Sequence, residues 1–196
     1  MKILLIADEE NRALWDYYRP GMLRGYDCII SAGDLKSEYL SFLVTMANRP
    51  LYYVHGNHDG VYQRRAPEGC ESIDGRIVKI GGLRILGLGG SYMYNGGAHQ
   101  YTERQMRARI RRLRFSLWRH GGVDIVVSHA PVYGCGDMED AAHRGFECFR
   151  DFIERYRPAL WIHGHVHKSY GHQFIREREL GGTRIVNASG KWELEI

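Results

Sequence analysis

The chain has 196 residues, of which 44% are hydrophobic and 12% aromatic, and this is enough to build the core of one compact domain. With 26% charged residues, the composition excludes a disordered or fibrous chain. The net charge of +4 is local, because residues 103–119 carry seven arginines against one acidic residue, whereas acidic residues slightly outnumber basic ones elsewhere.

Short apolar runs bounded by turn residues predict buried strands along the chain. The main runs are residues 2–7, 28–30, 51–54, 125–127 and 160–162. Between two further runs, 76–80 and 83–88, the pair Gly81-Gly82 predicts a tight hairpin. Near the C-terminus, three more strands are predicted over residues 173–176, 183–186 and 192–196.

Helical patterns lie between these strands. Ser37 is predicted to cap a helix whose apolar residues share one face. Thr102 and Gln105 form a capping box that opens a second helix, with an apolar stripe from Met106 to Leu117. A third helical pattern stops at Pro158. Strands interleaved with helices, together with hairpins, indicate an α/β layered fold with a mixed sheet or two packed sheets.

Residue types that bind metals follow nearly every predicted strand in the first 170 residues. The residues at these strand ends include Asp8, Asp34, Asn57, His129, His165 and His167. Ligands in α/β folds sit beyond the carboxyl ends of the strands, so these side chains are expected to meet at one rim. A lone His or Asp is usually a surface or capping residue, but five polar clusters at five strand ends favour a site.

The residue types at these strand ends point to a class of ion. Carboxylates, imidazoles and an amide without thiolates suit Mn, Fe, Zn or Ni. There are more candidates than one tetrahedral ion needs, so we expect two ions, bridged by a carboxylate such as Asp34 at a spacing of about 3.5–4 Å. Two such ions can share a hydroxide nucleophile and clamp the oxygens of a phosphoryl group.

The ordered motifs at these strand ends resemble those of the calcineurin-like metallophosphoesterases. The family pattern is Asp-x-His, Gly-Asp, Gly-Asn-His-Asp, a single strand-end His, and Gly-His-x-His. This chain matches it at Asp8, at Gly33-Asp34, at Gly56-Asn57-His58-Asp59, at His129 and at Gly164-His165-Val166-His167. The match spans residues 8 to 187, and the third and fifth motifs in this order are highly specific.

The resemblance implies a two-sheet αββα sandwich in a single domain over residues 1–196. It also implies two metal positions. The first would take Asp8, Asp34, His167 and residue 10, and the second would take Asp34, Asn57, His129 and His165. His58 would be the general acid for the leaving alkoxide or, before that, an electrophilic clamp on the phosphate, and Asp59 would orient His58.

One position departs from the family pattern, because the first motif ends in Glu10 instead of His. Glu10 as an oxygen ligand would favour Mn, Mg or Fe over Zn at the first position. Alternatively, Glu10 acts through a water or turns away, which weakens that position. In a third reading the centre no longer catalyses and the chain is a protein-binding platform, although His58 and the other ligand positions are retained.

Together these features predict a phosphoesterase that uses two divalent ions, with Mn preferred over Fe, Zn, Ni or Mg. The expected partner is a small-molecule or nucleotide phosphoester. A nuclease is the alternative, but the arginines near residue 109 occupy several helix faces, which favours a solvated helix. No apolar run has the roughly 18–20 residues that cross a bilayer. The apolar run 1–7 is too short for a secretory signal, so a cytoplasmic protein is expected.

Overall fold

The computed structural model describes residues 1–196, except for the side chains of His172 and Gln173. Its first sheet has the spatial order β13-β1-β2-β3-β4. These strands are β1 (Lys2–Ala7), β2 (Cys28–Ser31), β3 (Leu51–Tyr53), β4 (Glu71–Ser72) and β13 (Gly190–Glu195). Strands β1 to β4 pair in parallel, and β13 runs antiparallel to β1 at one edge.

The second sheet has six strands in the order β11-β12-β10-β9-β6-β5. These are β5 (Ile77–Ile80), β6 (Leu83–Leu88), β9 (Ile125–Ser128), β10 (Leu160–His163), β11 (Glu177–Leu180) and β12 (Thr183–Asn187). Its four central strands, β12, β10, β9 and β6, are parallel. A small ribbon is formed by β7 (Ser91–Tyr92) and β8 (Gln100–Tyr101).

Four α-helices cover the outer faces of the two sheets. They are α1 (Ser37–Ala47), α2 (Glu103–Arg112), α3 (Arg114–His120) and α4 (Glu147–Tyr156). Short 3-10 turns occupy Arg12–Leu14, Asp59–Gln63 and Lys168–Gln173. None of the described helices has the length and apolar character needed to cross a membrane.

The alternation of side chains along β1 explains the layering. Ile3 and Leu5 point to the space between the sheets and pack with Ile162 of β10. Leu4 and its neighbour Ile6 point the other way, into the layer that contains α1. The outer face of the second sheet packs against α2, α3 and α4. The predicted α/β class and the two-sheet αββα sandwich are therefore confirmed.

Several predicted elements have the expected bounds, and three differ. The hairpin around Gly81-Gly82 and the capping box at Thr102 are both present. At the first helix, however, Lys36 is the N-cap and Ser37 the first helical residue. The single helix predicted beyond residue 102 breaks at Leu113, whose N–H bonds the carbonyl of Ile110 in a tightened turn.

The third difference lies in the tail. The strand predicted over residues 173–176 starts at Gln173, whose side chain is outside the described part of the chain. Over residues 174–176 the prediction is wrong, because the backbone enters β11 only at Glu177 and pairs there with β12. The two later strands of the tail are present as β12 and β13.

Most of the arginines predicted to lie on a solvated helix do so, but two have structural partners. Arg109 donates to the carboxylate of Asp74 and to the carbonyl of Gly89, both at 2.6 Å. Arg107 pairs with Glu103 on its own helix and with Asp151 on α4. These two side chains therefore hold α2 in place, and their charge is already neutralised.

Candidate metal centre

The predicted ligands leave the carboxyl ends of parallel strands in both sheets, so the sandwich brings them to one edge. Asp8 follows β1 and Asp34 lies three residues after β2, while His129 and His165 follow β9 and β10. Three of them have left-handed backbone, with φ of 65° at Asp8, 58° at Asp34 and 69° at His165. Residues other than glycine rarely adopt this backbone conformation, and those that do are concentrated at functional sites.

Three ligand atoms surround Nε2 of the buried His129, so four ligand atoms lie close together. This nitrogen lies 3.0 Å from Nδ1 of His165 and 3.1 Å from Oδ1 of Asn57. The Oδ2 atom of Asp34 is 3.2 Å away. Atoms that bind one ion at about 2.1 Å are about 3.0–3.4 Å apart, so this spacing matches the edges of a coordination polyhedron.

The far end of each of these side chains is anchored elsewhere. Nδ1 of His129 donates to the carbonyl of Ala32 at 2.8 Å, and Nε2 of His165 donates to that of Ala142 at 2.6 Å. The amide nitrogen of Asn57 donates to the hydroxyl of Tyr94 at 3.2 Å. Because a carbonyl only accepts, the outer nitrogens carry protons, and the inner nitrogens and the amide oxygen are turned towards the cluster. A cation satisfies such an arrangement.

The Asp8 carboxylate supplies a second sign of a cation site. Its Oδ1 accepts a hydrogen bond from the backbone N–H of His165 at 2.8 Å. Its Oδ2 is buried and has no hydrogen-bond partner. Burial raises the pKa of this carboxyl group. An unpaired carboxylate oxygen is costly in a protein interior, and a divalent ion beside it removes that cost.

Two glycines make the close packing of this edge possible. A Cβ on Gly56 would lie 2.0 Å from Oδ1 of Asp34, and one on Gly33 would lie 2.9 Å from Nδ1 of His129. Gly33 also has a φ of 99°, a backbone angle that residues other than glycine avoid. The glycines predicted beside the ligands therefore allow the loops to approach one another.

His58 and Asp59 follow these glycines and have different surroundings. His58 is exposed, and its backbone N–H donates to Oδ1 of Asp34 at 2.8 Å. Asp59 is buried, and its Oδ2 accepts from the N–H groups of Gly56 at 2.7 Å and Asp34 at 2.9 Å. Among the hydrogen bonds of the described side chains, the imidazole of His58 is not a partner of Asp59. Instead of contacting the ring that it was expected to orient, Asp59 joins two loops.

Burial raises the pKa of Asp59 to about 6, with a contribution from the nearby charge of Asp34. The two hydrogen bonds to backbone N–H groups oppose this shift. Two carboxylates close together are more stable when a cation or a shared proton lies near them. The raised pKa of Asp59 thus reflects mainly its burial and, to a smaller extent, the carboxylate of Asp34 beside it.

The structure does not gather the residues expected at the first metal position as tightly. Within the described part of the chain, the acidic, His and Cys ligand atoms that lie within 4.8 Å of one another in a group of three belong to Asp34, His129 and His165. Glu10 instead accepts a hydrogen bond from the backbone N–H of Lys36 at 3.3 Å. The Nδ1 atom of His167 lies 3.4 Å from Oε1 of Glu9.

The loop around Asp140 was not expected from the sequence to contribute to the site. Oδ1 of Asp140 accepts from the N–H groups of Ala142 at 3.0 Å and His143 at 3.1 Å. This turn holds the Ala142 carbonyl that binds His165. The ring of His143 joins Asp140 to the hydroxyl of Tyr170. Its only sequence signal was Asp140 itself, an Asx-turn former, because the carbonyl that contacts His165 belongs to an alanine.

Replacing Asp140 with Ala is expected to weaken Mn²⁺ binding up to about 10-fold, because Asp140 holds the turn that presents the Ala142 carbonyl, and loss of a direct partner of a metal-binding His typically costs about 10- to 100-fold. Calorimetric titration of chelator-treated protein with Mn²⁺ measures the change. Glu139→Ala, on the same loop, is the matched control and should bind Mn²⁺ as the parent does. Equal affinity in the two variants would contradict the role of this turn.

Metal binding at His129 should depend on pH. Burial opposes the charged form of this ring, but the Asp34 carboxylate outweighs burial and raises the pKa of His129 to about 9. A metal ion needs the neutral ring, so a proton must leave when the ion binds. Mn²⁺ affinity should therefore rise about tenfold per pH unit from pH 7 towards pH 9 and then level off. Titration in buffers of different ionisation enthalpy should show about one proton released, and an affinity independent of pH would contradict this account.

Comparison with known proteins agrees with the geometry of this edge. The family model described as calcineurin-like phosphoesterase matches residues 6–169. Comparison with curated protein sequences gives no significant match.

Among solved structures, the protein TT1561 of Thermus thermophilus is similar with a TM-score of 0.65 and 19% identity, covering 96% of this chain and 89% of that one. GAP50, the anchor in the inner membrane complex of Plasmodium, has a TM-score of 0.58 and 12% identity, over 96% of this chain and 71% of that one. These likenesses concern the fold. Since the family model covers most of the sequence and all the strand-end motifs up to His167, the chain belongs to the calcineurin-like phosphoesterase family.

Proposed function

We propose that this protein is a metal-dependent phosphoesterase that uses two divalent ions to hydrolyse a phosphodiester or phosphomonoester. The observation that carries the proposal is the convergence of Asp34, Asn57 and His165 on one nitrogen of His129, at 3.0–3.2 Å. Family membership supplies the reaction class. Divalent ions, when bound, would supply an activated water and positive charge for the phosphoryl oxygens.

The chain's own residues divide the work. Asn57, His129 and His165 would hold one ion, and Asp8 and His167 the other, with Asp34 between them. Hydrogen bonds to Tyr94, Ala32 and Ala142 hold the side chains of Asn57, His129 and His165 in this orientation. Such preorganisation reduces the reorganisation that the reaction requires. We expect Mn²⁺ to be the preferred ion, with Fe, Zn, Ni and Mg as alternatives.

Two features of His58 support a role for it in acting on the substrate. It is exposed at the rim, and its backbone is tied directly to Asp34. We assign it the role of general acid that protonates the leaving oxygen. A proton donor matters most for a poor alkoxide leaving group, so we favour a phosphodiester as the substrate class.

Hydrolysis of bis(p-nitrophenyl) phosphate and p-nitrophenyl phosphate tests the proposal. The protein is first stripped with a chelator and then supplied with Mn²⁺, Mg²⁺ or Zn²⁺. We expect turnover that depends on the added ion and is greatest with Mn²⁺. A protein that binds two ions and remains inert towards both esters would refute the assignment.

Measurements on the same protein preparation distinguish the two alternative functions. A protein-binding platform predicts fewer than one bound ion per chain at neutral pH and no turnover. A nuclease predicts cleavage of oligonucleotides and binding that weakens steeply with salt. For this alternative, Arg104, Arg111 and Arg114 line a groove of about 810 Å³ between α2 and α4 and are the residues to replace with Glu.

A further inference from the structure

Two adjacent carboxylates follow Asp8, and the family pattern alone selects the second of them, Glu10, for the first metal position. The structure gives these carboxylates different surroundings. The inference drawn from them rests on the proposed two-ion function and concerns which side chain completes its first position.

Glu10 already has a structural role. Its Oε1 accepts from the N–H of Lys36 at 3.3 Å and lies 3.8 Å from the Lys36 ammonium group. Lys36 is the N-cap of α1 and makes no capping hydrogen bond with its own side chain. The carboxylate of Glu10 thus supplies the negative charge that a helix N-terminus favours.

Glu9 is directed to the metal edge by the turn before it. Asp8 has a φ of 65°, and the N–H of Glu9 donates back to the carbonyl of Ala7 at 2.7 Å. This three-residue turn reverses the chain just after β1. The side chain of Glu9 lies beside that of His167, and both are partly exposed, with Oε1 of Glu9 3.4 Å from Nδ1 of His167.

The spacing of Glu9 and His167 agrees with two ligands of one ion, and Asp8, whose ligand atoms are not within 4.8 Å of both, would close on that ion as it binds. A separation of 3.4 Å between a carboxylate oxygen and an imidazole nitrogen equals the distance between two ligands of one tetrahedral ion with bonds of about 2.1 Å. Asp8, the residue before Glu9, has a buried Oδ2 without a partner. We propose that Glu9, and not Glu10, supplies the carboxylate that completes the first metal position beside Asp8 and His167.

The substitution of an imidazole by a carboxylate changes the character of this position. The second position has two imidazoles and one amide around Asp34, whereas the first has one imidazole and three carboxylates. Oxygen-rich sites suit Mn²⁺ and Mg²⁺ better than Zn²⁺. The two positions should therefore differ in metal preference, with the harder ion at the first.

The pair Glu9→Gln and Glu10→Gln provides matched variants, because each replaces one partly exposed carboxylate with an isosteric amide. Stripped protein is titrated with Mn²⁺, and the free ion is followed by its electron paramagnetic resonance signal. Glu9→Gln should reduce the strongly bound ions from two to one, with at least a roughly 100-fold loss of affinity at the first position. Glu10→Gln should keep two ions, and its melting temperature should fall because α1 loses its N-terminal anion.

The opposite pattern, or two strongly bound ions in both variants, would overturn the proposal. A loss of one ion in both variants would overturn it as well, since Glu10 would then also be needed. The number of Mn²⁺ ions bound by the wild-type protein distinguishes failure of this proposal from failure of the proposed function. Two ions in the wild type with the wrong variant pattern refute only the assignment of Glu9, whereas fewer than two ions in the wild type refute both.

Discussion

Asp34→Asn should lower kcat/KM for bis(p-nitrophenyl) phosphate in Mn²⁺ by more than about 100-fold. Outer groups that merely orient a ligand typically cost about 10- to 100-fold, and Asp34 itself supplies one of the converging atoms. The amide keeps the shape of the side chain and can still accept from the N–H of His58. It removes the negative charge that would lie between the two ions, so both positions should weaken together.

The matched control for this variant is Asp16→Asn, which alters an exposed carboxylate paired with Arg12 on the surface. Its activity and Mn²⁺ binding should equal those of the parent. Circular dichroism checks that both variants are folded. If Asp34→Asn retained activity within about threefold of the parent while folded, the assignment of the catalytic edge would be wrong.

His58→Ala should lower kcat by about 10²- to 10⁴-fold with substrates that leave as alkoxides, the range expected for loss of a general acid. The loss should be much smaller with p-nitrophenyl esters, because p-nitrophenolate leaves without a proton. Hydrolysis of 2′,3′-cyclic AMP and of bis(p-nitrophenyl) phosphate by the same preparation measures the two effects. Mn²⁺ stoichiometry should remain unchanged, since the imidazole of His58 is not one of the converging ligands.

His120→Ala is the control for this experiment, because His120 lies at the end of α3 and bonds the backbone of Ser116 on the same helix. It should leave both reactions unaffected. An equal loss with both leaving groups in His58→Ala would show that His58 binds the phosphate instead of protonating the leaving oxygen. Loss of a bound ion would place it among the metal ligands.

Much of the fold was predictable because burial follows local patterns. Ile3 and Leu4 face opposite sides of a strand and both are apolar, which already indicates a strand covered on two faces. The capping box of Thr102 and Gln105 is enough to predict the start of a helix. The break at Leu113 was not predictable in this way. The apolar stripe from Met106 to Leu117 continues across it, so the pattern does not reveal that the two halves become separate helices.

The candidate site was also predictable only in part. The strand-end motifs name the ligand types, and parallel strands carry them to one edge whatever the details of the loops. Asp59 has backbone N–H groups as its partners, and His165 depends on the carbonyl of Ala142. Backbone groups are the same in nearly every residue, so no sequence pattern identifies which of them a side chain will meet.

By itself, then, the sequence determined which side chains could bind metal and that the ends of the strands would collect them, because these depend on residue type and local periodicity. The two-sheet sandwich was implied by the family resemblance. Only the tertiary structure decided which atoms face inward and which neighbours Glu9 and Glu10 meet. A turn at Asp8 with positive φ and the start of α1 at Lys36 place those two carboxylates in different surroundings. The physical reason is that side-chain direction depends on backbone angles and on neighbours distant in sequence.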